Sequence, residues 1–319
     1  MGESEQTEDP VKRELGDKYD VTSWETRTRF DSVAESVHSG LQTTSRWLVI
    51  LLALVLFLGQ MGLVLYALAS RPGLGVLTLA SVIPAFGLAG IIWYGDPTMR
   101  EPVLALSVTF LLAVLFASFA ATVNSVLQPL VTALPFVGMV VFFFLVVGPV
   151  EEFVKWLSVR LFAYRTDDFD AVVDGAVYGA VAGLGFATIE NALYISKVLI
   201  DAGTIQASVP TTDAIGMATQ RAFVGPGHVL YSAVAGYYLG LAKFNPDDWG
   251  PIVVKGLLLA AAIHATYNSL VSTLPFGVFD GLVATGAFLA FVLAFDGAIG
   301  YFLYRKVSRY RSAYARVDA

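Results

Sequence analysis

The chain opens with 46 mostly polar residues, and from Trp47 to Tyr304 it becomes a succession of long apolar runs divided by short polar breaks. The runs are continuous and do not alternate, which argues against the period-two pattern of a membrane β-barrel. Each is close to the roughly 20 residues that a helix needs to cross a bilayer. Eight spans are expected, at 47–69, 74–94, 103–123, 136–164, 171–199, 214–242, 251–273 and 278–304. The predicted fold class is an all-α integral membrane protein with eight transmembrane helices. Residues 1–46 read as an acidic, largely disordered tail with one amphipathic helix around 25–42, and 305–319 read as a basic tail. No cleavable signal peptide is visible, so the first span reads as an uncleaved anchor.

Composition strengthens this picture. Hydrophobic residues make up 56% of the chain and charged residues 14%, against roughly 25% charged in ordinary soluble proteins. Sixteen of the charged residues lie in 1–46, ten of them acidic, and six lie in 305–319, five of them basic. With the N-terminus inside, the inner segments hold fifteen lysines and arginines and the outer loops only Arg71. Cationic residues favour the cytoplasmic side, so a multi-pass cell-membrane protein with both termini cytoplasmic is expected. The lipid bilayer is then its first partner. A net charge of −6 argues against nucleic acid, and the absence of cysteine excludes disulfides, iron–sulfur clusters and thiol catalysis.

Ionisable groups inside a span cost on the order of 3 kcal/mol each, so those present call for a function. They gather in the second half of the membrane region. Span four carries Gly148-Pro149-Val150-Glu151-Glu152-Phe153-Val154-Lys155. Pro149 is expected to kink the helix ahead of the acidic pair. Adjacent helical residues point about 100° apart, so one glutamate can face a cavity while the other faces a neighbouring helix, with Lys155 in reach of either. Span five carries Asp174-Gly-Ala-Val-Tyr178-Gly and then Phe186-Ala-Thr-Ile-Glu190-Asn191, with Gly175, Gly179 and Gly183 on a face that allows close helix approach. Span six holds Arg221 and then Gly225-Pro226-Gly227-His228, where the helix is expected to open ahead of the histidine. Span seven holds His264-Ala-Thr-Tyr-Asn268.

At a rise of roughly 1.5 Å per residue, Glu151, Glu190, His228 and His264 fall about 20–28 Å from the inner face. They converge on the middle to outer half of the membrane, in a cavity expected between spans four and seven. Carboxylates and imidazoles gathered at one depth suit water activation or a metal site, and both are zinc ligands. There is no His-Glu-x-x-His and no Gly-x-Ser-x-Gly, and the sole Tyr-Asp, Tyr19-Asp20, lies in the tail rather than in a span.

Taken in order on successive spans, Glu151-Glu152-x-x-Lys155, Asp174-Gly-x-x-Tyr178-Gly, Phe186-x-x-x-Glu190-Asn191, Gly-His228 and His264-x-x-x-Asn268 resemble the PrsW family of intramembrane proteases. The resemblance covers about residues 136–273. The related CAAX-processing membrane proteases carry an arginine one position later than Lys155 and a histidine in place of Glu190, so prenylated substrates are not implied.

The resemblance implies hydrolysis of peptide bonds in membrane-bound proteins, in the family's case a membrane-bound anti-sigma factor. It implies that Glu151 acts as general base, exchangeable with Glu152. Glu190, His228 and His264 would hold a Zn²⁺ or orient the water, and Asn268 would donate to the oxyanion. Lys155 would hold Glu152, while Asp174, Phe186, Asn191 and Arg221 would support the site. Two other classes compete. An ion-coupled carrier would show inverted repeats, and none is visible. A non-catalytic scaffold would have no need of both glutamates and both histidines.

Overall fold

The computed structural model describes residues 9, 16–41, 55, 58, 72–134, 137–201, 212–274 and 281–317. The first expected span, 47–69, lies outside the described residues. Those described are almost entirely helical: α1 Arg29–Leu41, α2 Pro72–Tyr94, α3 Val103–Thr132, α4, α5 Asp174–Asp201, α6 Thr212–Lys243, α7 Trp249–Thr273 and α8 Gly281–Val317. The α4 element has three parts: Gly138–Phe142, a π-helical turn Phe143–Val147, and Gly148–Leu161. Among the described residues, five helices are long and apolar enough to cross a membrane: Gly75–Tyr94, Val103–Thr132, Asp174–Val198, Pro246–Thr273 and Val283–Arg316. Large apolar side chains such as Leu79, Ile83, Phe86, Leu104, Leu111 and Leu293 are exposed on α2, α3 and α8. Such faces suit lipid rather than water.

The innermost helix is α5, packed on α2, α3, α4 and α6. Its small-residue face makes this possible. A Cβ added at Gly175, Gly179 or Gly183 would lie 2.1–2.3 Å from the carbonyl oxygens of Gly236, Ser232 and His228 respectively. Ascending numbers on α5 meet descending numbers on α6, so the two helices run antiparallel with their backbones in direct contact. The expected opening of α6 at Gly225-Pro226-Gly227 does not occur. Thr212–Lys243 is one continuous helix with Pro226 inside it. Proline removes one backbone hydrogen bond, but the seam against α5 holds the helix on both sides of the gap.

In α4 the irregularity falls where proline predicts it. Pro149 has no N–H to give to the preceding turn, and the wider π turn at Phe143–Val147 takes up the mismatch. Gly148 lets α4 approach α7, since a Cβ there would stand 2.6 Å from the carbonyl oxygen of Ala261.

One end of the bundle gathers the loops and the tail. The expected disorder of the tail does not hold for residues 16–41, where the anticipated amphipathic helix forms as α1 and lies along α7. Thr28 and Asp31 cap it reciprocally: Thr28 N–H donates to Asp31 Oδ2 at 2.7 Å and Asp31 N–H to Thr28 Oγ1 at 3.1 Å. Lys255 of α7 pairs with Asp31 at 2.7 Å and with Asp20 at 3.1 Å, and Lys306 of α8 also reaches Asp20. Lys243 donates to the carbonyls of Tyr164, Thr166 and Phe169, and Arg311 donates to that of Gly95. Residues 305–317, read as a tail, continue α8 as helix.

Burial works to raise the Asp31 carboxyl, but hydrogen bonds from Lys255, Tyr19 and Thr28 outweigh it and hold the group well below the usual carboxylate range. A depressed folded value contributes stability above the unfolded value of about 3.9 and loses it as the pH falls through the folded one. Docking of the tail is therefore expected to weaken only in strong acid, read as faster proteolysis at Arg27 and Arg29. Asp31→Ala should give that sensitivity at neutral pH, with the loss of about 1 kcal/mol for the cap alone. Gly183→Val should cost more, on the order of 3 kcal/mol, because the obstacle is backbone. It should lower the amount of folded protein and displace His228.

Candidate active site

The close approaches of α5 to α6 and of α4 to α7 bring four polar faces to one place. Glu152 is fully buried. Its Oε1 accepts from Lys155 Nζ at 2.6 Å and from His264 Nδ1 at 3.0 Å, and its Oε2 accepts from Ser232 Oγ at 3.3 Å. A buried carboxylate needs such partners, because nothing else replaces its lost hydration. Lys155 also donates to His228 Nδ1 at 3.1 Å and sits over the Phe186 ring, 4.3 Å from its centre. Phe186 in turn lies against the His228 ring.

The partners assign both histidine tautomers. An ammonium can only donate, so His228 Nδ1 accepts and its proton is on Nε2, which is 2.6 Å from Glu190 Oε2. A carboxylate accepts, so His264 Nδ1 carries the proton toward Glu152 and Nε2 is left with a lone pair. That lone pair is 3.7 Å from Glu151 Oε2. Glu151 Oε1 accepts from Asn124 Nδ2 at 2.9 Å, while Oε2 is buried without a hydrogen-bond partner. Glu151 Oε2 and His264 Nε2 thus face each other across a gap.

Glu190 accepts from Arg221 Nη2 at 2.5 Å as well as from His228. Arg221 Nε donates to Asn191 Oδ1 at 2.8 Å, and Asn191 Nδ2 donates to Ser81 Oγ at 2.9 Å, which ties the cluster to α2. Glu151, Glu190 and Asn268 line a cavity of about 440 Å³ together with Asn124, Phe186 and Tyr194. A second lobe of about 140 Å³, lined by His228, His264, Tyr231 and Arg221, shares Glu190 and Asn268 with it.

The donor atoms of Glu151, His228 and His264 lie within 4.8 Å of one another. Donor type, this spacing and the orphaned Glu151 oxygen suit a Zn²⁺, and His228 would bind it only by giving up the Nε2 proton that it directs to Glu190. The grouping contains Glu151 where the sequence reading has Glu190, whose carboxylate is engaged by Arg221. His264 already has the carboxylate partner on its far nitrogen that metal-binding histidines use.

Of the residues singled out from sequence, Glu151, Glu152, Lys155, Phe186, Glu190, Asn191, Arg221, His228, His264 and Asn268 come together. Asp174 does not. It sits at the opposite end of α5, roughly 24 Å from Glu190 along the helix, where its Oδ2 accepts from the N–H groups of Asp170 and Ala171. Two neighbours were missed. Asn124 falls one residue beyond the expected end of span three, but α3 runs on to Thr132. Asp296 of α8 accepts from Tyr231 at 3.2 Å; an aspartate in the middle of span eight was the available signal.

Comparisons with known proteins place the chain in a family. The sequence profile described as PrsW family intramembrane metalloprotease matches residues 101–296. The chain is 30% identical to Protease PrsW of Geobacillus kaustophilus, over 70% of this chain and 93% of that protein. It is 27% identical to Protease PrsW of Bacillus subtilis, over 73% and 94% respectively. It is 28% identical to that of Shouchella clausii, over 62% and 84%. No solved structure matches. A profile match across most of the helical bundle, with relatives aligned over nearly their whole length, means that this chain belongs to the PrsW family of intramembrane proteases.

Proposed function

We propose that this protein is an eight-span endopeptidase of the cell membrane, with both termini cytoplasmic, that hydrolyses peptide bonds of membrane-anchored regulatory proteins with a carboxylate-activated water. The observation that carries the chemistry is Glu151 Oε2, buried without a hydrogen-bond partner and facing His264 Nε2 at 3.7 Å beside the larger cavity. The sidedness rests on the cation count and on the meeting of the tail with the 95–102, 162–173 and 244–248 connections at one end of the bundle.

A water held between these atoms gives one proton to Glu151 and attacks the substrate carbonyl. Glu152 and Lys155 keep the His264 ring in the tautomer that accepts from that water. The Asn268 amide faces the same cavity and donates to the developing oxyanion, a contribution that rests on preorganised dipoles. Glu151 then returns the proton to the leaving amine. The substrate helix must unwind locally, because an intact helix hides its amide bonds.

The proposal includes Zn²⁺, held by His228, His264 and one carboxylate: Glu190 by family resemblance, Glu151 by the spacing of the donors. Bound there, the ion would supply a Lewis acid and lower the pKa of water. The carboxylate it left unbound would take the proton, and Glu151, whose Oε2 has no hydrogen-bond partner, is assigned that role.

The test is cleavage of a co-expressed single-span substrate, measured beside folded protein and zinc content. Glu151→Gln keeps size and hydrogen bonding but cannot take a proton. Cleavage should fall roughly 10²–10⁴-fold with protein level and zinc retained. Near-normal cleavage by both Glu151→Gln and Glu152→Gln would refute the mechanism, and zinc loss in Glu151→Gln would make Glu151 a ligand rather than the base. His264→Ala should lose cleavage and zinc together. Lys155→Ala leaves Glu152 and His228 without their shared cation. It should lower folded protein as well as activity, by about 3–5 kcal/mol of stability.

A further inference from the structure

Asp174 belongs to a motif that the catalytic cluster leaves unused. At the tail-bearing end of the bundle its carboxylate meets Asp96 and Glu101 from the turn between α2 and α3, with one oxygen of each residue within 4.8 Å of the others. Glu101 is 2% exposed, and neither of its carboxylate oxygens has a hydrogen-bond partner. Asp96 Oδ2 is also buried without one. Thr98 Oγ1 lies 2.6 Å from Asp96 Oδ1 and 3.3 Å from Asp174 Oδ1, so one hydroxyl proton serves two carboxylates. The cations nearby are committed elsewhere: Lys243 to three carbonyls, Arg311 to the Gly95 carbonyl, and Arg100 over the Tyr94 ring.

Three acids share a buried pocket, and among the described residues none of them forms an ion pair. We propose that Asp96, Glu101 and Asp174, with Thr98, bind a hard divalent cation of the Ca²⁺ and Mg²⁺ class. The donors are all oxygen, which selects these ions over the softer metals that imidazole favours. Oxygens 4.8 Å apart or less fit around one ion with bonds of about 2.1–2.5 Å, and water can complete the shell. The ion would tie the turn between α2 and α3 to the start of α5. Those helices also share the Asn191–Ser81 hydrogen bond beside Glu190, so the tie bears on the site from its far end. It is independent of the zinc and of the mechanism proposed above.

The competing occupant is a proton. Burial and then the neighbouring Asp96 carboxylate push Glu101 up to about 9, so without a cation it is neutral at physiological pH. Binding distinguishes the two. Purified full-length protein in detergent, stripped with chelator, is titrated with Tb³⁺, whose emission Trp93, three residues before Asp96, can sensitise. One Tb³⁺ per chain should bind, be displaced by Ca²⁺ or Mg²⁺, and remain in the His264→Ala variant. Glu101→Gln should weaken binding roughly 10-fold or more. Ca²⁺ or Mg²⁺ should raise the thermal unfolding midpoint of the parent by several degrees and leave that of Glu101→Gln unmoved. In chelator, Glu101→Gln should be at least as stable as the parent, because it removes a buried acid without a partner. Asp96→Asn provides the same comparison if Glu101→Gln yields no folded protein. Absence of a displaceable Tb³⁺ signal, unchanged binding in both variants, or loss of the signal in His264→Ala would overturn the proposal.

Discussion

A carboxylate with no water around it must be surrounded by donors, and Glu152 imposes that demand on three helices at once. Lys155 from its own helix, Ser232 from α6 and His264 from α7 all point their donors at it. The arrangement sets more than the position of one side chain. It assigns the proton on His264 to Nδ1 and so leaves Nε2 open toward Glu151. Through Lys155 it assigns the proton on His228 to Nε2, toward Glu190. The buried acid thereby decides which atoms around the cavity remain free to act. Both of its oxygens are engaged, while the adjacent Glu151, turned about 100° around the helix, is left with an unpartnered oxygen.

Such a network forms only where helices come closer than ordinary side chains allow. The glycines of α5 place it against the α6 backbone at Gly236, Ser232 and His228, and Gly148 does the same for α4 against α7. In lipid there is little hydrophobic drive between helices, so close packing and interhelical hydrogen bonds do the work of association. The same seam explains why Pro226 leaves α6 continuous. Contact on both sides of the missing hydrogen bond holds the helix direction, whereas Pro149 follows a short apolar segment that yields by widening one turn.

At the other end, charge serves as a fastening. Asp20 and Asp31 of the tail are matched by Lys255 and Lys306, and Asp9 accepts from Tyr310 and from the Val172 N–H. These bonds join the tail, the α5 start and the end of α8 on the side where cationic residues concentrate. The acidic tail that composition suggested as solvated is, over residues 16–41, part of the folded body.

The sequence by itself determined the class of the protein and most members of the buried polar cluster. Apolar runs of bilayer length read directly as helices, and buried charge is costly enough that Glu151, Glu152, Glu190, His228 and His264 stood out without coordinates. Helix ends are less legible, because apolar composition fades gradually; Asn124 lies one residue past the end that composition marks for span three. Tertiary structure alone decided which acids meet which bases. Asp174 shares a span with Glu190, yet belongs to a separate cluster at the far end of it, and Arg221 and His228 engage the Glu190 carboxylate that the family resemblance assigns to a metal. The reason is geometric. Periodicity states which face of a helix a residue occupies, but which face of which neighbour it meets depends on helix crossings set by glycine contacts far apart in the chain.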